Sequence, residues 1–567
     1  MIEINGYEIL TQIYESDNSI VYRGIRQQDN LPVILKMLKQ DYPTPAQITH
    51  YRQEYEITRN LNLEGVIKAY SLEEYQRTLV IILEDFGGNS LKRLTNNSEQ
   101  KQAITSLNQC LDIAIQATEI LAQIHAANVI HKDINPANLV WHSETKQLKI
   151  IDFGISTQFT RENPTLKNPN VLEGTLAYIS PEQTGRMNRS LDYRTDFYSL
   201  GVTFYELLTG KLPFETNDAL ELVHCHIAKV PVAPHQVNPE IPKAVSDIVM
   251  KLMAKTAEQR YQSAFGIRND LAECLQQLQT TGNILDFPLG TQDISDHFQI
   301  PQKLYGREAE IETLITAFER VANPPESPLA KGGLGGGEMM LVAGYSGIGK
   351  SALVQELYQP ITKARGYFIS GKFDQFQRNI PYSAVVYAFQ ELVRQLLTET
   401  ATKLKLWREK LLTALGVNGQ IIIDVIPQVE LIIGKQIKVP QLGGTEAQNR
   451  FNLVLGNFIR AFCSPEHPLV IFLDDLQWAD AATLKLIQLM MTDSDTQYLF
   501  LIGAYRDNEV SPTHPLMMTL EDIKKANSAT SSLQNLEIDQ LTFTKINQIN
   551  LAPLAVEHIS QHMADTL

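Results

Sequence analysis

The stretch His131-Lys132-Asp133-Ile134-Asn135-Pro136-Ala137-Asn138, followed after one short strand by Asp152-Phe153-Gly154, constrains this chain most. Asp133, Asn138 and Asp152 stand on one loop and at the end of the next strand, a spacing that brings loop and strand end into one cleft. Phosphoryl transfer asks little covalent chemistry of a protein. It needs a positioned hydroxyl and a metal that neutralises phosphate charge. Asp133 can accept the hydroxyl proton, and Asn138 and Asp152 offer oxygens of the kind Mg²⁺ prefers.

The rest of such a cleft lies upstream, in order. Val21 sits in the strand-like run Ile20-Val21-Tyr22-Arg23-Gly24. Pro32-Val33-Ile34-Leu35-Lys36 is an apolar strand ending in a lysine, which holds an ammonium at a fixed point above the cleft. Glu54 lies in a segment with helical spacing through Ile57 and Leu61 and is in register to hold Lys36, with Glu56 as the rival. Leu79 to Leu83 is a continuous apolar run suited to a buried strand. Glu84-Asp85-Phe86-Gly87-Gly88 then reads as a hinge whose backbone, at Glu84 and Phe86, meets an adenine edge. Leu107, Leu111, Ala114 and Ile115 share the face of a helix that delivers the Asp133 loop.

Together these motifs resemble a eukaryotic-type Ser/Thr protein kinase over about residues 7–275, with its H-R-D-x-x-x-x-N loop and D-F-G. Gly174-Thr175-Leu176-Ala177-Tyr178-Ile179-Ser180-Pro181-Glu182 resembles the segment that ends the activation loop. Asp196 resembles the aspartate that braces the catalytic loop, and Glu182 with Arg260 the family's structural ion pair. The resemblance implies an α+β bilobal fold and ATP with Mg²⁺ as cofactors. It makes Asp133 the catalytic base, Lys36 and Glu54 the pair that aligns phosphates, and Asn138 and Asp152 the metal ligands. Val21, Lys36, Glu84 and Phe86 fall in the ATP pocket. Three departures stand out. Tyr14, Ser16 and Ser19 occupy the glycine-loop positions, where side chains limit backbone approach to phosphate, although Ser16, Asn18 and Ser19 can donate hydrogen bonds. Lys132 replaces the arginine before the catalytic Asp and lacks its planar fork. Asn135 replaces a lysine and removes one cation. Thr157, Thr160 and Thr165 are available for loop phosphorylation.

From Gly282 to Gln302 the pattern weakens, so we expect a kinase domain over 1–280, a linker over 281–303 and a second domain over 304–567. Low-complexity stretches around Asn323–Pro328 and Lys331–Gly337 read as an exposed loop. Strand-like Met339–Ala343 then leads into Gly344-Tyr345-Ser346-Gly347-Ile348-Gly349-Lys350-Ser351, a full G-x-x-x-x-G-K-[ST]. Gly344, Gly347 and Gly349 let backbone N–H groups wrap phosphate, Lys350 reaches the β/γ-phosphates, and Ser351 serves Mg²⁺. The apolar strand Leu469–Leu473 ends in Asp474, expected on Mg²⁺, and Asp475, expected to orient an attacking water. Arg506 either senses the γ-phosphate or lies on the surface. These features resemble AAA-type, STAND-class signalling ATPases. They imply an α/β P-loop NTPase, a parallel sheet with flanking helices, that works as a nucleotide-controlled switch.

The kinase-then-ATPase order resembles large bacterial signalling kinases that continue into a sensor and a histidine kinase, so two-component partners are implied. The chain is expected to stop inside the helical lid, as a fragment. A formal net charge of −15 disfavours nonspecific nucleic-acid binding. Four dispersed cysteines fit a reducing compartment, and His224-Cys225-His226 reads as a helix face, not a metal site. No apolar run reaches membrane-spanning length and Met1–Asn5 is not a signal peptide, so a cytoplasmic protein is expected. The leading reading is an ATP-dependent Ser/Thr protein kinase acting on protein substrates and coupled to an ATPase switch, with nucleotide-dependent oligomers possible. The alternative is a catalytically weak pseudokinase scaffold whose ATPase half controls assembly. A small-molecule kinase is disfavoured by the Gly174–Glu182 segment.

Overall fold

A computed structural model describes residues 4–16, 19–39, 43–76, 78–96, 106–158, 174–185, 191–216, 218–294, 304–324, 337–375, 381–397, 401–440, 442–493, 495–532 and 545–566. Asn18, Thr160, Thr165 and the glycine-rich 331–336 lie outside the described residues. The chain separates into two compact units. One holds residues 1–185, 189–217 and 230–297; the other holds 186–188, 218–229 and 298–567.

The first unit begins with strands β1 (Tyr7–Glu15), β2 (Ser19–Arg26) and β3 (Leu31–Leu38). Helix α1 (Pro45–Leu61) follows, then β4 (Ala69–Tyr75) and β5 (Thr78–Glu84). The five strands form an antiparallel sheet in the order β1-β2-β3-β5-β4. Side chains alternate along β3. Val33 and Leu35 are fully buried with Tyr22, Val80 and Ile82, so Ile34 and Lys36 face the other way. Thr44 starts α1 with a capping box: its hydroxyl accepts from the Gln47 N–H and the Gln47 side chain returns to the Thr44 N–H.

The rest of the first unit is mainly helical. Helix α2 (Leu107–Ala126) is capped by Ser106, and Leu111, Ala114, Leu121 and Ile124 bury on it. After the Asp133 loop, the hairpin β6 (Leu139–His142) and β7 (Gln147–Ile150) pairs Leu139 with Ile150. Helices α3 (Arg194–Thr209), α4 (Lys243–Leu252) and α5 (Ala264–Thr281) complete one apolar core with α2. Residues 282–293, read from sequence as part of a connection, lie against this unit. Asp293 accepts from the Gln262 and Ser263 N–H groups at 2.8 and 2.9 Å, and the Gly290 N–H donates to Asp270 at 2.8 Å. Ile284, Phe287 and Leu289 also pack on the apolar core, so the stretch is held by three irregularly spaced apolar side chains together with these polar bonds, a pattern with no helical or strand period.

The second unit opens with α6 (Glu308–Ala322), on which Leu314, Phe318 and Val321 bury. Its sheet comprises β8 (Glu338–Ala343), β9 (Tyr367–Lys372), β10 (Leu469–Asp474), β11 (Leu499–Tyr505) and β12 (Ile546–Asn550), all parallel, in the order β9-β10-β11-β8-β12. The central strands are buried on both faces, as their unbroken apolar runs require. Apolar clusters cover each face of the sheet. Both units thus have the expected classes: an antiparallel sheet beside a helical body, then a parallel α/β sheet.

The polar centre of the helical body is Arg260, fully buried. Its Nη1 and Nη2 donate to the two Glu182 carboxylate oxygens at 2.6 and 2.8 Å. Its remaining N–H groups go to the carbonyls of Ala254, Arg194 and Lys255. Burial raises the Glu182 pKa, but Arg260 outweighs it and holds the carboxyl below its usual value. Arg260→Met is expected to destabilise the first unit by about 3–5 kcal/mol, because it strands a buried carboxylate. Glu182→Gln adds a pH signature. A depressed carboxyl pKa contributes stability above its unfolded value and loses it as pH falls through the folded value. The difference in unfolding temperature between native and Glu182→Gln protein, read by calorimetry, is therefore expected to shrink below about pH 4.

Candidate active site

Lys36 lies in the buried second half of β3 with its side chain turned towards helix α1 and the strand end beyond β7. Its ammonium lies 2.6 Å from Glu54 Oε1 on α1 and 2.8 Å from Asp152 Oδ1 beyond β7. Glu56, the alternative partner, is exposed. Burial works against the charge on Lys36, but Asp152 and Glu54 outweigh it and hold its pKa above the usual value. Burial raises Glu54, whereas Asp152 stays below the ordinary carboxyl range because Lys36 overcomes its desolvation. The Tyr51 hydroxyl, one turn before Glu54, donates to the Lys36 carbonyl at 2.5 Å and ties α1 to β3 a second time.

The catalytic-type loop is fixed from below by Asp196, which is fully buried at the start of α3. Asp196 accepts from the His131 N–H at 2.9 Å and the Lys132 N–H at 2.7 Å, and shares 2.8 Å contact with His125 Nε2. Burial raises the Asp196 pKa, but the His125 bond and neighbouring donors keep it below the usual value. Lys132 and Asp152 both hold left-handed backbone (φ 68° and 67°), a costly state that this web of bonds imposes.

Asp133 is thereby presented on a loop tied to the strand end that carries Asp152, the Ile151 N–H donating to the Asn138 carbonyl at 3.0 Å. Its Oδ1 accepts from the Thr175 N–H and its Oδ2 from Asn138 Nδ2, both at 2.9 Å. With its amide nitrogen used on Asp133, Asn138 has its amide oxygen left for a cation. Asp152 spends Oδ1 on Lys36 and the Gly154 N–H, leaving Oδ2. Asn135 does not supply the missing cation. Its amide shapes the loop instead, donating to the Asp133 carbonyl at 3.1 Å and accepting from the Ala137 N–H at 2.9 Å. Ser16 and Ser19, at the glycine-loop positions, bond to each other. Val21 pairs with Lys36 across the sheet, and Glu84 ends β5 at the hinge. Sequence motifs missed the groups that hold this hinge: Lys149 donates to both Glu84 oxygens at 2.9 and 2.8 Å, and Arg23 lies on Asp85.

In the second unit, β8 runs into the glycine loop. Gly347 and Gly349 have φ of 77° and 99°, which side chains rarely adopt. Lys350 is buried and folded back on its own loop, donating to the Gly344 and Tyr345 carbonyls at 2.8 Å each. Burial holds its pKa below the usual lysine value. Ser351 at the start of the following short helix donates to Asp474 Oδ2 at 3.0 Å, so loop and β10 converge as expected. Asp475 is engaged elsewhere: Gln477 donates to Oδ1 at 3.1 Å, Arg506 Nε lies 3.3 Å from it, and Lys372 is 3.4 Å from Oδ2. Arg506 also pairs with Glu509 at 2.8 Å and stacks 4.8 Å from the Trp478 ring centre. His224 and Cys225 lie on the helix Ala219–Ala228 beside Glu221, with donors within 4.8 Å of one another on one turn.

Comparison with known proteins follows the same division. A protein kinase domain family matches residues 7–275, and an AAA ATPase domain family matches 303–502. Over 475 residues the chain is 34% identical to hybrid signal transduction histidine kinase G of Dictyostelium discoideum, covering 68% of this chain and 13% of that protein. It is 30% identical over 268 residues to a probable serine/threonine-protein kinase of Clostridium perfringens, covering 47% of this chain and 38% of that protein. With serine/threonine-protein kinase PrkC of Bacillus subtilis it shares 28% over 267 residues, 47% of this chain and 40% of that protein. The chain spans less than half the length of each of these relatives. Residues 7–275 are a protein kinase domain, and residues 303–502 are an AAA ATPase domain. Among the described residues no helix is long and apolar enough to cross a membrane.

Among the described residues the Lys350 ammonium bonds only to carbonyls of its own loop, so its removal is expected to spare the fold. Lys350→Ala is expected to leave the unfolding transition of the second unit within a few degrees. It is also expected to weaken ATP binding there by about tenfold or more, as measured with a fluorescent nucleotide.

Proposed function

We propose that this chain is an ATP-dependent protein Ser/Thr kinase in signal transduction, joined to a STAND-type ATPase that acts as a nucleotide-controlled switch. The supporting observation is the assembled set of Lys36 on Glu54 and Asp152, with Asp133 beside Asn138. In this reading Asp133 accepts the proton of the substrate hydroxyl. Lys36, held by Glu54, aligns phosphates, and the backbone at Glu84 and Phe86 meets adenine under Val21. The oxygens of Asn138 and Asp152 form a hard donor set that fits Mg²⁺, which neutralises phosphate charge when bound. In the second unit Gly344, Gly347, Gly349 and Lys350 take the nucleotide phosphates, and Ser351 with Asp474 forms a second hard donor set. Asp475 orients water once released from Arg506, which then turns to the γ-phosphate.

The domains in this reading are 1–280 and 304–567. A hybrid histidine kinase among the relatives supports two-component partners, protein substrates follow from the kinase reading, and the setting is cytoplasmic. A specific observation favours a second reading, a catalytically weak scaffold. The Ser16–Ser19 turn closes on itself where glycines would admit phosphate, and Asn135 brings no charge.

Labelled ATP given to the intact chain separates the two. Transfer to protein is expected, falling about 10²–10⁴-fold in Asp133→Asn and persisting in Lys350→Ala. Transfer equal in native and Asp133→Asn protein would remove the kinase reading and leave the scaffold.

A further inference from the structure

We infer that Arg23 and Asp85 form an ion pair that fixes the hinge for recognition of the nucleotide base, so that both are positioning residues of the first unit. This rests on the part of the proposed function that places a nucleotide in that cleft. Arg23 lies two residues from Val21 on β2, and its partner across the sheet is Ile34. Ile34 is in turn paired with Leu83 on β5, one residue before the hinge. Ile34 also lies two residues before Lys36, so the row Arg23, Ile34, Leu83 belongs to the face of the sheet that carries the phosphate-aligning lysine.

From that face the Arg23 guanidinium reaches the middle of the hinge. Its Nη2 donates to Asp85 Oδ1 at 3.2 Å, and its Nε faces Oδ2 at 2.7 Å, out of line for a hydrogen bond. The same Oδ1 accepts the Gly87 N–H at 3.0 Å, where the backbone turns left-handed at φ 78°. One carboxylate therefore ties a strand to the turn of the connecting segment. It is 9% exposed, so without its cation it would be a nearly buried charge.

The other flank is held as firmly. Lys149 of β7 takes both Glu84 oxygens and lies 5.0 Å from the centre of the Phe86 ring, which meets His142 edge-on. Gly88 fits only without a side chain, since a Cβ would come within 2.9 Å of the Trp141 carbonyl. Glu84 to Gly88 is thus clamped by a cation from the first sheet on one side and by the β6–β7 hairpin on the other. What the clamp fixes is backbone. Adenine presents an amino donor where guanine presents an oxo acceptor, so a carbonyl held in place admits one and opposes the other. Discrimination of this kind depends on buried polar groups that cannot turn to suit the wrong partner.

The test uses the intact chain carrying Lys350→Ala, so that nucleotide is read at the first unit, with Mg-ATP and Mg-GTP affinities measured by equilibrium binding. Arg23→Met and Asp85→Asn are each expected to weaken Mg-ATP about threefold to tenfold and to narrow the ATP-over-GTP preference, the double variant being no worse than either single one. Unchanged preference in both single variants, equal losses for both nucleotides, or losses that add in the double variant would each overturn the inference. Phosphotransfer on the same samples separates the two levels. Nucleotide bound without any phosphoprotein removes the kinase reading and leaves the hinge result standing, whereas no nucleotide bound by the parent at the first unit removes both.

Discussion

The first unit depends on one buried ammonium. Lys36 belongs to the sheet, Glu54 to the helix packed on it, and Asp152 to the strand end of the helical body. A lysine taken out of water is costly unless carboxylates surround it, and two carboxylates near each other are costly unless a cation separates them. Lys36 and Glu54 make each other's burial tolerable, and the half-exposed Asp152 brings a second carboxylate to the ammonium. The arrangement therefore fixes three elements from distant parts of the chain to one point.

The same economy of charge recurs at every depth of the unit. Asp196 spends its carboxylate on backbone N–H groups and so dictates the path of the loop that presents Asp133. Glu182 satisfies an arginine that no water reaches and anchors the segment that carries Thr175 onto Asp133. Charges here do not merely decorate a fold made by apolar packing. They set the backbone course of the segments that packing leaves undetermined, including left-handed turns at Lys132 and Asp152 that no propensity would choose.

The second unit solves a similar problem with backbone instead of side chains. Parallel strands buried on both faces fix where the chain emerges, and the loop after β8 is shaped by glycines that tolerate positive φ. Lys350 folds onto its own carbonyls and Asp475 is occupied by Arg506 and Lys372. The site is formed and internally satisfied, so a nucleotide must exchange these contacts for its own.

Much of this was legible in the residues. Apolar runs such as Leu469–Leu473 and Leu79–Leu83 read as buried strands, helical register favoured Glu54 over Glu56 as the partner of Lys36, and the glycine-loop and strand-end motifs directed Ser351 and Asp474 to one point. Glycines at 347 and 349 announced their own backbone. What sequence could not reach were bonds between groups that carry no motif: the Tyr51 hydroxyl on a carbonyl, Arg23 and Lys149 on neighbouring hinge carboxylates, Arg506 on Asp475 and Trp478, and the packing of 282–293 on its neighbour. The chain by itself determined which strands, helices and loops form and which residue types they carry, because residue type and local periodicity are properties of short segments. Only the tertiary structure decided which charges meet, because a partner in an ion pair is chosen by distance in space, and distance in space follows from how separate elements share one core.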